Sequence, residues 1–349
     1  MVPPLNQHVF ISAQNSLPIT VHLPESSAVA LGFPNLEQVE SLQSVAHLFG
    51  SSKPRRGIYL LHFKSGLWYV GQAIDVVRRF SQHRRNHTDI IAFSFIPVPI
   101  ENLDIIEKTL IYKAELLRLK ITNAVHVTSV VGDTDLDLVV SRNDQESWLN
   151  NLSYFDGKRR NDSKIVLPEA QQVRFSKHFA KIENHVLFPS VLPLLQRYVG
   201  RCLPAPRQTE YSFWSVSCMP TTNSGTWPRL FTVNAGMMEL FVVGWVKHSS
   251  DQVWAFVTVA EDVLFQTWDS IEGLEEAFPF IEFERRGYRD AGQHQVTLQV
   301  YGTAEIMTLL KNDTICKAAA IVALRVMRKR ATIYAKFHCP QLATCALLK

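Results

Sequence analysis

Gly57-Ile58-Tyr59-Leu60-Leu61-His62-Phe63-Lys64-Ser65-Gly66-Leu67-Trp68-Tyr69-Val70-Gly71 is the stretch on which the reading of this chain turns. Two β-prone runs, 57–63 and 67–71, flank Lys64-Ser65-Gly66. A glycine in third place suits the left-handed position of a three-residue hairpin loop. Such a loop pairs Phe63 with Leu67, Leu61 with Tyr69 and Tyr59 with Gly71. Tyr59 and Tyr69 then share one face of the sheet as diagonal neighbours, and Gly71 leaves space beside the Tyr59 ring. A two-residue loop would reverse the parity and split the tyrosines between faces. Strand propensity taken alone favours a packing role for both.

Working outward, Asp75 is placed to cap a helix whose inner row is Val76, Val77 and Phe80. The adjacent row runs Asp75, Arg79, His83, His87 at i, i+4 spacing. Arg79 offers phosphate a planar two-donor fork, and His83 a donor or proton carrier. His83 and His87 also have the spacing of a two-histidine metal face, without the glutamate that accompanies it in metalloproteases. Arg78, Arg84 and Arg85 read as a solvated basic face or as nonspecific DNA contacts. A strand near 90–96 stops at Pro97-Val98-Pro99, and Asn102 can cap a helix to about Leu119. Its inward stripe is Leu103, Ile106, Leu110, Ala114 and Leu117, with Glu107 at the edge. A carboxylate there is costly unless an arginine pairs with it or a metal binds it. Residues 123–141 read as β-prone, interrupted by an acidic turn at Asp133, Asp135 and Asp137. The expected order is β-β-α-β-α.

The chain has 349 residues, enough for two domains, and an ordinary globular composition of 46% hydrophobic and 19% charged residues. No apolar run reaches the ~18 residues of a membrane span, and Met1-Val2-Pro3-Pro4 lacks the features of a signal peptide. Five cysteines at irregular spacings argue against a disulfide framework and for a reducing cytoplasm. His338, Cys339 and Cys345 lack the second ligand pair of a zinc site. The net charge of +4 is unevenly spread. Residues 1–52 contain no Lys or Arg, whereas 53–87 contain eight basic residues against one acid, Asp75. A concentration of positive charge suits a polyanion partner, and Arg55 and Arg56 extend it ahead of the hairpin.

The first fifty residues read as short strands near 8–12 and 18–23, then a helix capped by Asn35 with Val39, Leu42, Val45 and Leu48 as its stripe. Residues 151–165 are polar and turn-rich. Beyond them come helices near 168–185 and 189–199, strands near 211–219, 230–234, 239–246, 253–260 and 295–301, and helices near 303–311 and 314–336. That half contains no P-loop, nucleophile elbow or His-Glu-x-x-His motif. Trp214, Trp227, Trp245, Trp254 and Trp268 read as core rather than as a platform for stacking bases.

The run Gly57-Ile58-Tyr59, Tyr69-Val70-Gly71, Arg79-Phe80-Ser81-Gln82-His83, Glu107 and Asn123 resembles the GIY-YIG nuclease superfamily, which includes homing endonucleases, restriction enzymes and the incision domain of nucleotide excision repair. The resemblance covers residues 57–123. It implies an α+β fold with a small β-β-α-β-α core. It implies a divalent metal, Mg2+ or Mn2+, held by Glu107, with Tyr59 as general base or water-orienting group and Tyr69 assisting it. Arg79 would stabilise the phosphate, His83 would support proton transfer and Asn123 would brace the site. Gln72 departs from the pattern, standing where a lysine or small residue is common. The expected division is an N-terminal arm at 1–53, a nuclease domain at 54–150, a linker at 151–165 and a C-terminal α+β targeting or assembly domain at 166–349. The expected activity is metal-dependent cleavage of DNA in the cytoplasm, in restriction or anti-phage defence. The alternatives are a nucleic-acid-binding protein on an inactive scaffold and a structure-specific repair nuclease. Arg55, Arg56, Arg78, Arg84, Arg85 and His87 are the expected DNA contacts, basic residues 158–201 extend that surface, and a homodimer would supply a second active site.

Overall fold

A computed structural model describes residues 24–50, 53–123, 127–130, 133–156, 169–222, 225–247, 249–285, 292 and 294–348. In the first half the described elements are α1 (Pro24–Leu31), β1 (Glu37–Gln38), β2 (Gly57–Phe63), β3 (Trp68–Ala73), α2 (Val76–Asn86), β4 (Ile90–Pro97), α3 (Leu103–Leu116) and α4 (Arg142–Asn150). The four strands form one antiparallel sheet in the order β1-β4-β2-β3. The hairpin has the expected register, with Tyr59 opposite Gly71 and Leu61 opposite Tyr69. Gly66 sits at φ +78°, in the left-handed region that a side chain resists, and the Phe63 N–H donates to Leu67 O at 2.9 Å.

Strand alternation gives this sheet two apolar faces. On one, Tyr59, Leu61 and Phe63 pack against Val76 and Phe80 of α2 and against Val39, Val45 and Phe49. On the other, Ile58, Leu60, Trp68 and Val70 pack against Leu103, Leu110, Ile111 and Ala114 of α3 and against Ala28 and Leu31 of α1. β3 is an edge strand of the sheet, so the two faces meet along it.

Three expectations change. The helix expected from Asn35 is instead an extended strap. β1 pairs with β4, the Val39 N–H donates to Ile91 O at 2.9 Å, and only Ala46–Leu48 make a helical turn. The apolar residues still bury, but the open edge of β4 satisfies the backbone, a better partner for β-branched Val39 than an isolated helix. Residues 24–49 therefore pack into both apolar clusters of the small sheet. The strands expected near 8–12 and 18–23 lie outside the described residues.

The β-prone stretch 123–141 forms no strand among the described residues. Ile121 makes a single bridge to Trp68, Asp135–Leu138 form a capped 3-10 turn, and α4 follows. Leu136, Val140, Trp148 and Leu152 join the core of the second domain. Arg328 fixes them there, donating from Nη1 to Asp137 Oδ1 at 2.7 Å and to Gln145 Oε1 at 2.9 Å. Leu136 through Leu152 thus pack with the second half of the chain and not with the small sheet. Of the expected linker, 151–156 lies on the second domain's side, where Leu152 joins its core, and 157–165 lies outside the described residues.

The second domain comprises α5 (Glu169–Glu183), α6 (Phe188–Cys202), α7 (Pro206–Thr209), β5 (Trp214–Cys218), β6 (Arg229–Ala235), β7 (Met238–Val246), β8 (Ser249–Ala260), α8 (Glu261–Trp268), α9 (Ile271–Ala277), β9 (Ile281–Glu284), β10 (Gln295–Tyr301), α10 (Thr303–Lys311), α11 (Asp313–Lys329) and α12 (Pro340–Leu347). Its strands form one antiparallel sheet in the order β5-β6-β7-β8-β10-β9. α11 is buried along most of its length and packs against β8, α6 and α8. α7, α8, α9, β9 and α12 are additions to the elements read from sequence. Trp214 and Trp254 are buried, and Trp245 and Trp268 pack against core, as expected; Trp227 is exposed. Among the described residues no helix is long and apolar enough to cross a membrane.

Candidate active site

Tyr59 is the hub of a hydrogen-bonded cluster between β2, β3 and α2. Its ring is fully buried and lies across Gly71. A Cβ at Gly71 would sit 2.5 Å from the Tyr59 hydroxyl and 2.6 Å from the Tyr69 ring, so this position has room only for glycine. Gly57 is constrained by backbone instead, since a Cβ there would lie 2.0 Å from Ile96 O. The Tyr59 and Tyr69 rings are 5.9 Å apart, the diagonal contact that the register requires.

From α2, Asp75 accepts from the Arg78 N–H at 3.1 Å and caps the helix. One and two turns on, Arg79 and His83 reach Tyr59. Arg79 Nε donates to the Tyr59 hydroxyl oxygen at 3.3 Å, and that hydroxyl lies 2.8 Å from His83 Nε2. Because Arg79 can only donate, the Tyr59 proton goes elsewhere: His83 Nε2 accepts it in the neutral tautomer that carries its proton on Nδ1, and the Tyr69 side chain is a second hydrogen-bond partner. Burial pushes the Tyr59 phenol far above its usual value, and Tyr69 adds to the shift while Arg79 opposes it. Burial, then the charges of Arg79 and His87, push the His83 imidazole down to about 4. The two shifts describe a protonated phenol beside a neutral imidazole. Tyr69 and His83 are half-buried and their rings lie 4.9 Å apart, while Arg79 and His87 are exposed.

Glu107 lies on the opposite face, on α3. Its Oε2 accepts from Gln72 Nε2 at 2.9 Å, and the same nitrogen donates to Asp104 Oδ1 at 2.6 Å. Gln72 directly follows Gly71 at the sheet edge, so the departure from the family pattern carries the link between strand and carboxylates. Asp104 was not among the sequence candidates. The signal for it was present, since i, i+3 spacing puts it on the same side of the helix as Glu107. Asp104 is exposed and Glu107 half-buried. Two carboxylates drawn to one neutral amide are a donor set that suits a hard, oxygen-seeking divalent cation, and Mg2+ keeps several waters when one or two carboxylates hold it. Among the described residues no group of three or more His, Cys, Asp or Glu is placed to hold a metal.

Asn123 sits where a sheet neighbour would. Its Oδ1 accepts from the Val70 N–H at 3.1 Å and its Nδ2 donates to Val70 O at 2.5 Å, closing the free edge of β3 between Tyr69 and Gly71. It is buried and braces the strand without joining the Tyr59 cluster.

The expected DNA contacts divide. Arg55, Arg56, Arg78, Arg85 and His87 are exposed. Arg84 is a correction: it is 4% exposed and donates to three carbonyls, Val39 O at 2.6 Å, Ile90 O at 3.0 Å and Thr88 O at 3.2 Å. It ties the strap and β4 to α2 and is not presented to a ligand. In the expected basic extension, Arg197 donates to Leu310 O and Arg201 to Asp313 and Ser153, contacts within the second domain, while 158–168 lies outside the described residues. His338 is likewise internal, between Val216 N–H and Glu210.

No family model, curated protein or solved structure matches this chain.

Proposed function

We propose that the small domain is a metal-dependent endonuclease that hydrolyses DNA phosphodiester bonds, in the manner of the GIY-YIG nucleases it resembles. The observation that carries the reading is the Tyr59 cluster. A buried tyrosine hydroxyl shared by Arg79 and a neutral His83, with Tyr69 alongside and a glycine kept bare to admit them, exceeds what packing requires.

Hydrolysis needs a positioned water, a route for its proton and a counter-charge for the phosphate. Arg79 supplies the counter-charge from an exposed position beside exposed Arg78 and Arg85. As Arg79 turns to a phosphate, its long bond to Tyr59 gives way and the hydroxyl oxygen is uncovered. That oxygen then accepts the water's proton while its own passes to His83 Nε2. Tyr59 is thus a relay and never a free phenolate, which its burial would penalise. Tyr69 borders the same opening. Glu107 and Asp104 would hold the divalent cation, which supplies positive charge to the phosphate and the leaving oxygen when bound. Gln72 keeps the two carboxylates together and next to Gly71. The exposed arginines and His87 give duplex DNA a positive approach. A cytoplasmic setting, a place in restriction or defence, and a homodimer for cutting both strands complete the proposal.

The test is incubation of the full chain with duplex, branched and single-stranded DNA, with Mg2+, with Mn2+ and with chelator, beside Glu107→Ala. The expected result is metal-dependent cleavage that the substitution abolishes. Binding without cleavage on every substrate would leave the protein a nucleic-acid-binding module.

A further inference from the structure

Four of the five cysteines stand in two touching pairs, and the pairs differ in their surroundings. Cys202 of α6 and Cys316 of α11 meet between core helices, and neither has any exposed surface. The other pair is Cys218, the last residue of β5, and Cys339, the N-cap residue of α12. The Cys339 N–H donates to Val216 O at 2.8 Å, which fastens it to β5 two residues before Cys218. The two thiols are hydrogen-bonded to each other. Cys339 has no exposed surface, but Cys218 keeps 5% and lines a cavity of about 240 Å3. Its Sγ lies 3.2 Å from the carbonyl oxygen of His178, a residue of the same wall. One water occupies about 30 Å3 of liquid, so the cavity has room for hydrogen peroxide.

The contact also prepares the sulfurs. The bond from Cys218 pulls the Cys339 thiol below its usual value, opposed by burial and aided by the backbone N–H groups of Leu342 and Gln341 at the start of α12. The same bond, with burial, pushes the Cys218 thiol up. The pair therefore ionises as a unit, with one proton exchanged across the contact. We infer that Cys218 and Cys339 are a modification site, which hydrogen peroxide converts to a disulfide that ties β5 to α12. With the shared proton on Cys339, the Cys218 sulfur attacks a peroxide oxygen. The O–O bond breaks, hydroxide leaves and a sulfenic acid forms on Cys218. The Cys339 sulfur then attacks the Cys218 sulfur, the S–O bond breaks and a second hydroxide leaves. The two thiol protons turn both hydroxides into water, so the thiols lose two electrons and the peroxide gains them. The Cys202–Cys316 pair has the same contact but no surface and stays reduced. In a reducing cytoplasm such a bond is transient, as redox-sensing disulfides are. The proposal goes beyond the cleavage reading and does not depend on it.

The experiment uses the full chain in chelator, so that cleavage plays no part. The reduced protein is freed of reductant and treated with hydrogen peroxide, and the reaction is stopped with catalase. The chain is then unfolded in an alkylating reagent and its peptides are mapped by mass spectrometry. A Cys218–Cys339 bridge forms and is reversed by dithiothreitol, while Cys202 and Cys316 are recovered alkylated. Cys339→Ser removes the second step, so Cys218 accumulates as a sulfenic acid that dimedone labels. Cys218→Ser leaves Cys339 unoxidised, because its own sulfur is covered. Far-UV circular dichroism checks that both variants fold, and the wild-type map decides without them. Recovery of Cys218 and Cys339 as thiols at peroxide levels that oxidise the partly exposed Cys345 would overturn the proposal. So would a bridge from either of them to Cys345, or equal bridging of the two buried pairs.

Discussion

Both faces of the small sheet are packed, but they differ in chemistry. The α2 face holds a hydrogen-bonded chain, Arg79 to Tyr59 and Tyr59 with His83. The α3 face gathers two carboxylates around the Gln72 amide. In the proposed reaction one face would handle protons and positive charge, and the other would hold a cation. They meet at Gly71 and Gln72 on the edge strand, where Asn123 clamps the backbone. The lesson is that a motif read as one string of letters is distributed over two surfaces, and the strand edge is what can unite them.

The largest expected effect falls on the α2 face. Arg79→Ala should lower the cleavage rate by ~10²–10³, the loss typical of one transition-state donor. Arg79→Lys should recover little of it, because an ammonium lacks the fork. Single-turnover cleavage at saturating protein checks this. An unchanged rate would reduce the α2 face to a packing surface.

A contrast within α2 sharpens the comparison. Arg84 lies one residue beyond His83 but serves the frame. Arg84→Met should destabilise the domain by about 3 kcal/mol, since three carbonyls lose their donor. The protein that remains folded should cut normally. Urea unfolding monitored alongside kcat separates the two effects.

The smallest effect is that of pH. His83 is held neutral down to about 4, against an ordinary value of 6.5. Between these values the unfolded chain binds more protons than the folded one, so stability rises with pH across that window. The contribution is complete above 6.5 and is lost as pH falls toward 4. Wild type should therefore lose more stability than His83→Gln on acidification through that window. Equal losses would mean that His83 is not held neutral.

What was legible in the sequence was local. The hairpin register followed from loop length and one glycine, and with it the meeting of Tyr59 and Tyr69. Asp75, Arg79 and His83 followed from helical periodicity. Distant partners were hidden. Arg84 is internal because Val39, 45 residues earlier, brings a carbonyl to it. Residues 134–156 belong to the second domain because Arg328 reaches Asp137 from 191 residues away. The strap replaced a helix because the edge of β4 offered partners that the segment alone does not reveal. Asp104 is legible from periodicity, three residues before Glu107 on the same side of the helix, but it is exposed and the apolar stripe does not mark it.

The central claim is that both faces act on one phosphate, and a double-mutant cycle tests it most directly. Cleavage rates in Mg2+ are compared for wild type, Arg79→Ala, Glu107→Ala and the double variant. Groups that act as a unit are strongly non-additive, so each single variant should fall by ~10² or more and the double should fall little further than the worse single. Retention of cleavage by Glu107→Ala, or losses that multiply fully in the double variant, would contradict the account.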